Sequence, residues 1–153
     1  RGKPTVLGVA SGAVAGLAMV TPASGYIGPF SAMAIGSLAG LCCYFAIVWK
    51  GRFGYDDSLD VVGIHGVGGV LGILATGVFA SKTINAAGAD GLMYGNVGLL
   101  GIQALTAVVV TIFVFVGTYL ILKMVDGMVG LRIPHEEEAA GLDISQHNER
   151  AYS

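Results

Sequence analysis

The sequence predicts an all-α integral membrane protein, a polytopic bundle with four transmembrane helices. Three observations predict it. No residue is charged from Thr5 to Trp49 or from Gly91 to Leu122, and from Val61 to Ser81 the one titratable group is His65. Hydrophobic residues make up 54% of the 153 and charged residues 12%, about half the charged share of an ordinary soluble domain. Twenty-five glycines suit close helix packing in lipid, where small residues let backbones approach.

The first span is expected over about 5–20. Pro4 suits a helix start, and Thr21-Pro22 ends the helix because a residue before proline avoids the helical region. Gly8, Gly12 and Gly16 recur every four residues, a pattern that admits a neighbouring backbone. Thr5 and Ser11 can hydrogen-bond within the helix and need no further role. Thr21 to Pro29 reads as a turn. The second span, about 30–49, is long enough for a hydrocarbon core of about 30 Å at 1.5 Å per residue. Gly36 and Gly40 offer another close-contact face. Trp49 stands where an indole favours the membrane–water boundary, and Lys50 and Arg52 follow it.

The third span, about 58–80, opens on Asp56, Asp57 and Asp60. A carboxylate at a helix start accepts free N–H groups and complements the positive dipole end. That helix-capping role is the expectation for Asp57 and Asp60, ahead of a direct part in cation handling. His65 lies about 9 Å further along the axis. An imidazole inside an apolar span costs free energy unless it meets a partner or a cavity, so it is the chief functional candidate. The alternative is a core histidine hydrogen-bonded across a helix interface. At helical spacing Val61, Gly68, Gly69 and Gly72 share its face, and the glycines strip that face of bulk. Room is then left for a packed helix or for a second ring.

Ser81 to Asn96 reads as a loop, and the last span as about 97–124. That span is longer than the bilayer needs, so tilt or extension beyond the lipid is expected. The membrane domain is thus 1–125, and 126–153 is a tail of different composition. Glu136-Glu137-Glu138, Asp143, Glu149 and Arg150 fall in the tail without an apolar period. Composition alone makes it solvated, with disorder left open.

The run Asp56-Asp57-Ser58-Leu59-Asp60-Val61-Val62-Gly63-Ile64-His65-Gly66-Val67-Gly68-Gly69 resembles the penultimate membrane helix of the ammonium transporter (Amt/Rh) family, in its bacterial and archaeal Amt branch. The resemblance extends from Arg1-Gly2-Lys3-Pro4 through Gly25-Tyr26-Ile27-Gly28 to Gly141-Leu142-Asp143 and Ala151-Tyr152, nearly the whole chain. It implies the last four of eleven helices of an inverted-repeat transporter fold, and a transporter rather than an enzyme. It also implies that His65 conducts substrate as the second ring of a buried twin-histidine proton relay. Val14 and Val61 would then line an apolar pore, although ordinary helix packing explains Val14 nearly as well.

The same resemblance makes the tail, with Gly141, Leu142 and Asp143, a cytoplasmic regulatory element that contacts neighbouring subunits. The implied partners are ammonium or ammonia, membrane lipid, two further copies in a homotrimer and a PII-type signal protein. An ammonium sensor that signals through the tail with little flux stays open as the alternative. A passive gas channel like the Rh branch is weaker, because the tail and motifs look like the Amt branch.

The basic residues set an orientation. With four spans, Arg1, Lys3, Lys50, Arg52, Lys123 and Arg132 fall on one side and Lys82 alone on the other. The positive-inside rule places the first side, with both termini, in the cytoplasm, and the expected location is the inner (plasma) membrane. A net charge of −2 and the lack of a basic patch argue against a nucleic-acid partner. Cys42 and Cys43 match no metal spacing and read as packing residues. His135 and His147 are too isolated for strong metal ligands, and no cofactor is called for. The chain opens at Arg1 without a methionine or signal pattern and reads as the later part of a longer protein.

Overall fold

A computed structural model of the chain describes residues 3–150. Arg1, Gly2, Ala151 and Tyr152, which took part in the resemblance, lie outside the described residues, as does Ser153. The described residues are helical or irregular, with no strand. Among the described residues four segments are long and apolar enough to cross a membrane: Val6–Ala23, Pro29–Phe53, Val62–Phe79 and Val97–Val129. The chain divides into two units, Arg1–Val109 and Val110–Ser153.

In the first unit α1 is Val6–Val20, capped by Thr5, whose Oγ1 accepts the Gly8 amide at 3.0 Å. A 3-10 turn, Thr21–Ala23, follows. Helix α2 is Pro29–Phe53, with proline at its first position, where a missing N–H is harmless. It runs a turn beyond the expected stop at Trp49. The helix breaks only at Gly54, whose φ of +67° is the left-handed conformation that favours glycine. Lys50 and Arg52 therefore lie in its last turn, where cations complement the dipole.

Helix α3 is Val67–Phe79, continuous with a π-helical turn, Val62–Gly66. The helical segment begins at Val61 rather than Ser58, because Asp60 is left-handed with φ +57°. Helices α1, α2 and α3 pack on one another around Met19, Ala23, Ile35, Ala39 and Ala75, and around Ala15, Cys43 and Ile64. Most of these side chains are small, so backbone proximity replaces large apolar volume, as membrane packing favours. Gly72 shows it: a Cβ there would press on the Met19 carbonyl and lie 3.0 Å from Pro22 Cγ. At Gly77 a Cβ would lie 2.8 Å from Leu100 Cα.

The loops of this unit are tied together. The Ser81 amide donates to the Tyr26 carbonyl at 2.9 Å, Gly91 to Ala80 at 2.8 Å, and Lys82 to Asp90 Oδ1 at 2.8 Å.

Helix α4, Val97–Val129, has 33 residues, about 50 Å at 1.5 Å per residue, well over the bilayer core. Its later part belongs to the second unit. It continues past the expected stop at Met124 to Val129. Gly130, at φ +78°, ends it, and Asp126 binds the last turn by accepting Gly130 N on its carbonyl and Leu131 N on Oδ1, both at 3.1 Å. Asp126 thus closes the helix, whose last four residues fall within the expected tail.

The tail residues form α5, His135–Ala140, and α6, Leu142–Ser145. Three acidic residues in the first turn of α5 suit its positive end. Ser145 Oγ donates to the Glu137 and Gly141 carbonyls at 3.2 and 2.9 Å, and Gln146 Nε2 reaches Glu137 Oε2. Arg132 pairs with Glu138 at 2.8 Å. Composition left disorder open here; local hydrogen bonds and a glycine hinge order the segment without an apolar core.

Candidate functional site

The site is built upward from the acidic run. The Asp57 carboxylate accepts Val61 N on Oδ1 and Val62 N on Oδ2, both at 2.9 Å. One side chain thus satisfies two amides that a helix start leaves unpaired. Asp60 takes a different partner. Its carboxylate pairs with Lys50 Nζ of α2, which also donates to the Asp57 carbonyl at 2.6 Å. The Asp60 amide donates to the Asp57 carbonyl at 3.2 Å, and the Asp60 carbonyl accepts Ile64 N at 2.9 Å. Asp60 therefore engages the helix through its backbone and a neighbouring helix through its side chain.

His65 sits inside the π turn, where Val67 N reaches back to the Val62 carbonyl. Such turns are rare and collect at functional sites. The extra residue in the turn breaks the α-helical register on which the expected glycine face was drawn. Gly68 is buried, with a Cβ there lying 3.4 Å from Cys43 Sγ and 3.7 Å from Ala18 Cβ. Gly72 is filled by α1 as well. Only Gly69 of the three has open space beside it. The glycines thus serve mainly to seat α3 on α1 and α2. Gly63 does the same, with Ile47 Cγ1 2.9 Å from its would-be Cβ.

His65 is exposed rather than buried as expected, because the helices around it leave one side of the ring uncovered; it borders a recess of about 340 Å³, lined also by Val14, Leu17, Ala18 and Thr21. Thr21 Oγ1 spends its hydrogen on the Leu17 carbonyl at 2.6 Å. The polar side chains of the lining are thus one hydroxyl and one imidazole, and no described residue hydrogen-bonds the imidazole. The recess brings Val14 and His65 together. Val61, 48% exposed, is not among its lining residues. Leu17, Ala18 and Thr21 were missed, although with Val14 they stand at i, i+3, i+4 and i+7, a spacing that marks one helix face.

Cys43 is buried, and its thiol lies 3.8 Å from the Ile64 carbonyl. In the second unit Gly141 has φ +99°, and a Cβ there would lie 2.7 Å from Asp143 Oδ1. Leu142 opens α6, and the Asp143 carbonyl accepts Glu149 N at 2.8 Å. Among the described residues no three His, Cys, Asp or Glu side chains gather as a metal site.

The profile of the Ammonium Transporter Family matches residues 1–152. An ammonium transporter of Bacillus subtilis is 46% identical over 151 residues, 98% of this chain and 37% of that protein. Ammonium transporter Amt1 of Archaeoglobus fulgidus is 44% identical over 153 residues, 100% of this chain and 39% of its own length. The crystal structure of Candida albicans Mep2 superposes with a TM-score of 0.80 at 32% identity, covering 89% of this chain and 31% of that one. The chain spans less than two fifths of the length of each of these relatives.

Proposed function

This chain belongs to the ammonium transporter family, and on that premise we propose that it serves ammonium or ammonia transport, with His65 as one ring of a twin-histidine relay. The observation that carries this reading is the recess that His65 lines together with Val14, Leu17 and Ala18. Ammonium is tightly solvated, and moving a bare cation through an apolar medium is expensive. A passage of this kind works if the proton leaves before the nitrogen crosses. Neutral ammonia then passes among apolar side chains, and the proton needs its own carrier. An imidazole accepts on one nitrogen while donating from the other, so it can pass a proton along without net change. A second ring facing His65 would fix its tautomer through a shared hydrogen bond.

In this reading Val14 belongs to the wall of the recess and Val61, one turn before His65 and outside the recess, to the apolar pore wall beyond it, and Asp57 and Asp60 hold the start of the helix that presents the ring. Residues 1–125 form the membrane part of a multi-pass protein of the inner membrane. The tail, 126–153, is cytoplasmic, and Gly141, Leu142 and Asp143 belong to its regulatory segment. The assembly is a homotrimer regulated at that tail by a PII-type protein. The test uses the full-length protein in proteoliposomes. His65→Ala should cut the ammonium-driven current roughly 100-fold, the lower end of what a positioned proton-transfer group contributes, or change the charge carried per nitrogen. A current indistinguishable from wild type in size, coupling and selectivity would reject the relay.

A sensor is the second reading, and the ordered tail favours it, since α5 and α6 are linked through Ser145 and Gln146. Ending the chain after Gly130 in the same assay separates the two. A transporter keeps its flux and loses regulation; a sensor loses its signal and had little flux to lose.

A further inference from the structure

We propose that Lys50 is a positioning residue for His65: from the last turn of α2 it holds the Asp57–Asp60 loop so that the following turn stays π-helical and the imidazole faces the recess. The inference rests on the reading of His65 as a relay group. Lys50 Nζ ties both ends of the loop, donating to the Asp57 carbonyl and pairing with the Asp60 carboxylate. The two paired side chains are 24% and 30% exposed, so the contact is only partly open to solvent.

The loop so held is joined directly to the start of the His65 turn. Asp57 caps the amides of Val61 and Val62, and the Asp60 carbonyl receives the amide of Ile64, next to His65. Asp60 is one of two non-glycine residues with positive φ among those described. Such a conformation costs free energy and persists where the surroundings over-determine it. No other lysine or arginine among the described residues pairs with the Asp57 or Asp60 carboxylate. Without the Lys50 ammonium, Asp60 loses its cation and Asp57 its carbonyl donor. Asp60 can then relax to negative φ and the turn to ordinary i→i+4 bonding. A register change of one residue rotates a side chain by about 100° around a helix axis with 3.6 residues per turn. That is enough to swing His65 out of the recess.

The test uses the full-length protein in proteoliposomes, with amide hydrogen exchange measured on the same samples. Lys50→Met should speed exchange of residues 61–66 about tenfold, the scale of a lost charge-assisted hydrogen bond, while α1 is unaffected. Maximal uptake should fall by a similar factor with apparent KM within about twofold of wild type, and Lys50→Arg should recover most of both. Asp60→Asn, which keeps a residue tolerant of positive φ but removes the charge, should behave like Lys50→Met and covers the case in which that variant does not fold. Unchanged exchange at 61–66, or faster exchange spread evenly over α1 to α3, overturns the proposal. So does a loss of uptake that Lys50→Arg leaves unrestored. If His65→Ala alters the current and Lys50→Met alters nothing, the positioning role alone fails. If His65→Ala changes nothing while Lys50→Met still loosens 61–66, the latch stands and the relay reading falls.

Discussion

Helices α3 and α4 are both apolar, both long enough with their flanking turns to cross a bilayer, and both carry glycines, yet they use them in opposite ways. Over 18 residues of each span, 39% are buried in the α3 span and 6% in the α4 span. The difference lies in what stands beside the glycines. Around α3, a Cβ at Gly63, Gly72 or Gly77 would meet the side chain of Ile47, the backbone of Met19 or the backbone of Leu100. Around α4, Gly101 and Gly117 have open space, and Ile102, Leu105, Phe113 and Phe115 lie exposed. Hydropathy marks a span in either case; small residues in contact mark the helix that is seated against its neighbours.

The severest way to break this contrast is Gly72→Val. The branched side chain would have to displace the α1 backbone at Met19 and the Pro22 ring, and neither is a flexible tip that can swing aside. Overpacking of this kind should cost about 3 kcal/mol or more. The expected outcome is loss of folded protein, read as a collapse of the monodisperse fraction on size exclusion in detergent. A variant that accumulates and melts like wild type would mean that α1 and α3 are not in close backbone contact.

The same contrast explains what was legible in the sequence. Runs without charge mark four spans, because hydrocarbon tolerates ionised side chains poorly, and the described residues hold four such helices. The helix ends were less legible, because Gly54 and Gly130 stop α2 and α4 by left-handed geometry after the last polar residues had already suggested an end. The recess face was written in α1 as Val14, Leu17, Ala18 and Thr21, but nothing in periodicity separates a cavity wall from a packed face. The π turn was not legible at all. It depends on Lys50, fifteen residues before His65 in the chain, and a contact made by tertiary folding leaves no local period. His65 itself stood out because an imidazole in an uncharged run needs a reason.

A smaller effect comes from Gly141→Ala, which asks whether a glycine serves for room or for conformation. Gly141 joins α5 to α6 at φ +99°, ψ +134°, and a Cβ there would lie 2.7 Å from Asp143 Oδ1. A non-glycine residue in such a region costs about 1–3 kcal/mol. The loss should stay local: faster amide exchange at Ser145 and Gln146, whose amides donate to Gly141 and Leu142 at 3.0 Å, with α1 to α3 unmoved. Exchange at those two amides equal to wild type would mean that the glycine is dispensable to the hook.

The smallest effect is expected from Gly117→Ala in the middle of α4. Nothing lies within 4 Å of the position a Cβ would take, and alanine favours a helix over glycine by about 1 kcal/mol. Thermal melting of the full-length protein in detergent should therefore stay level or rise slightly, with transport unchanged. The sign of the shift carries the information. A rise means that the Gly117 face meets only mobile neighbours, so α4 is held by its length and hydropathy. A fall would mean that another backbone lies against that face in the assembled protein, as α1 lies against Gly72, and α4 would then join α3 as a helix seated by its small residues.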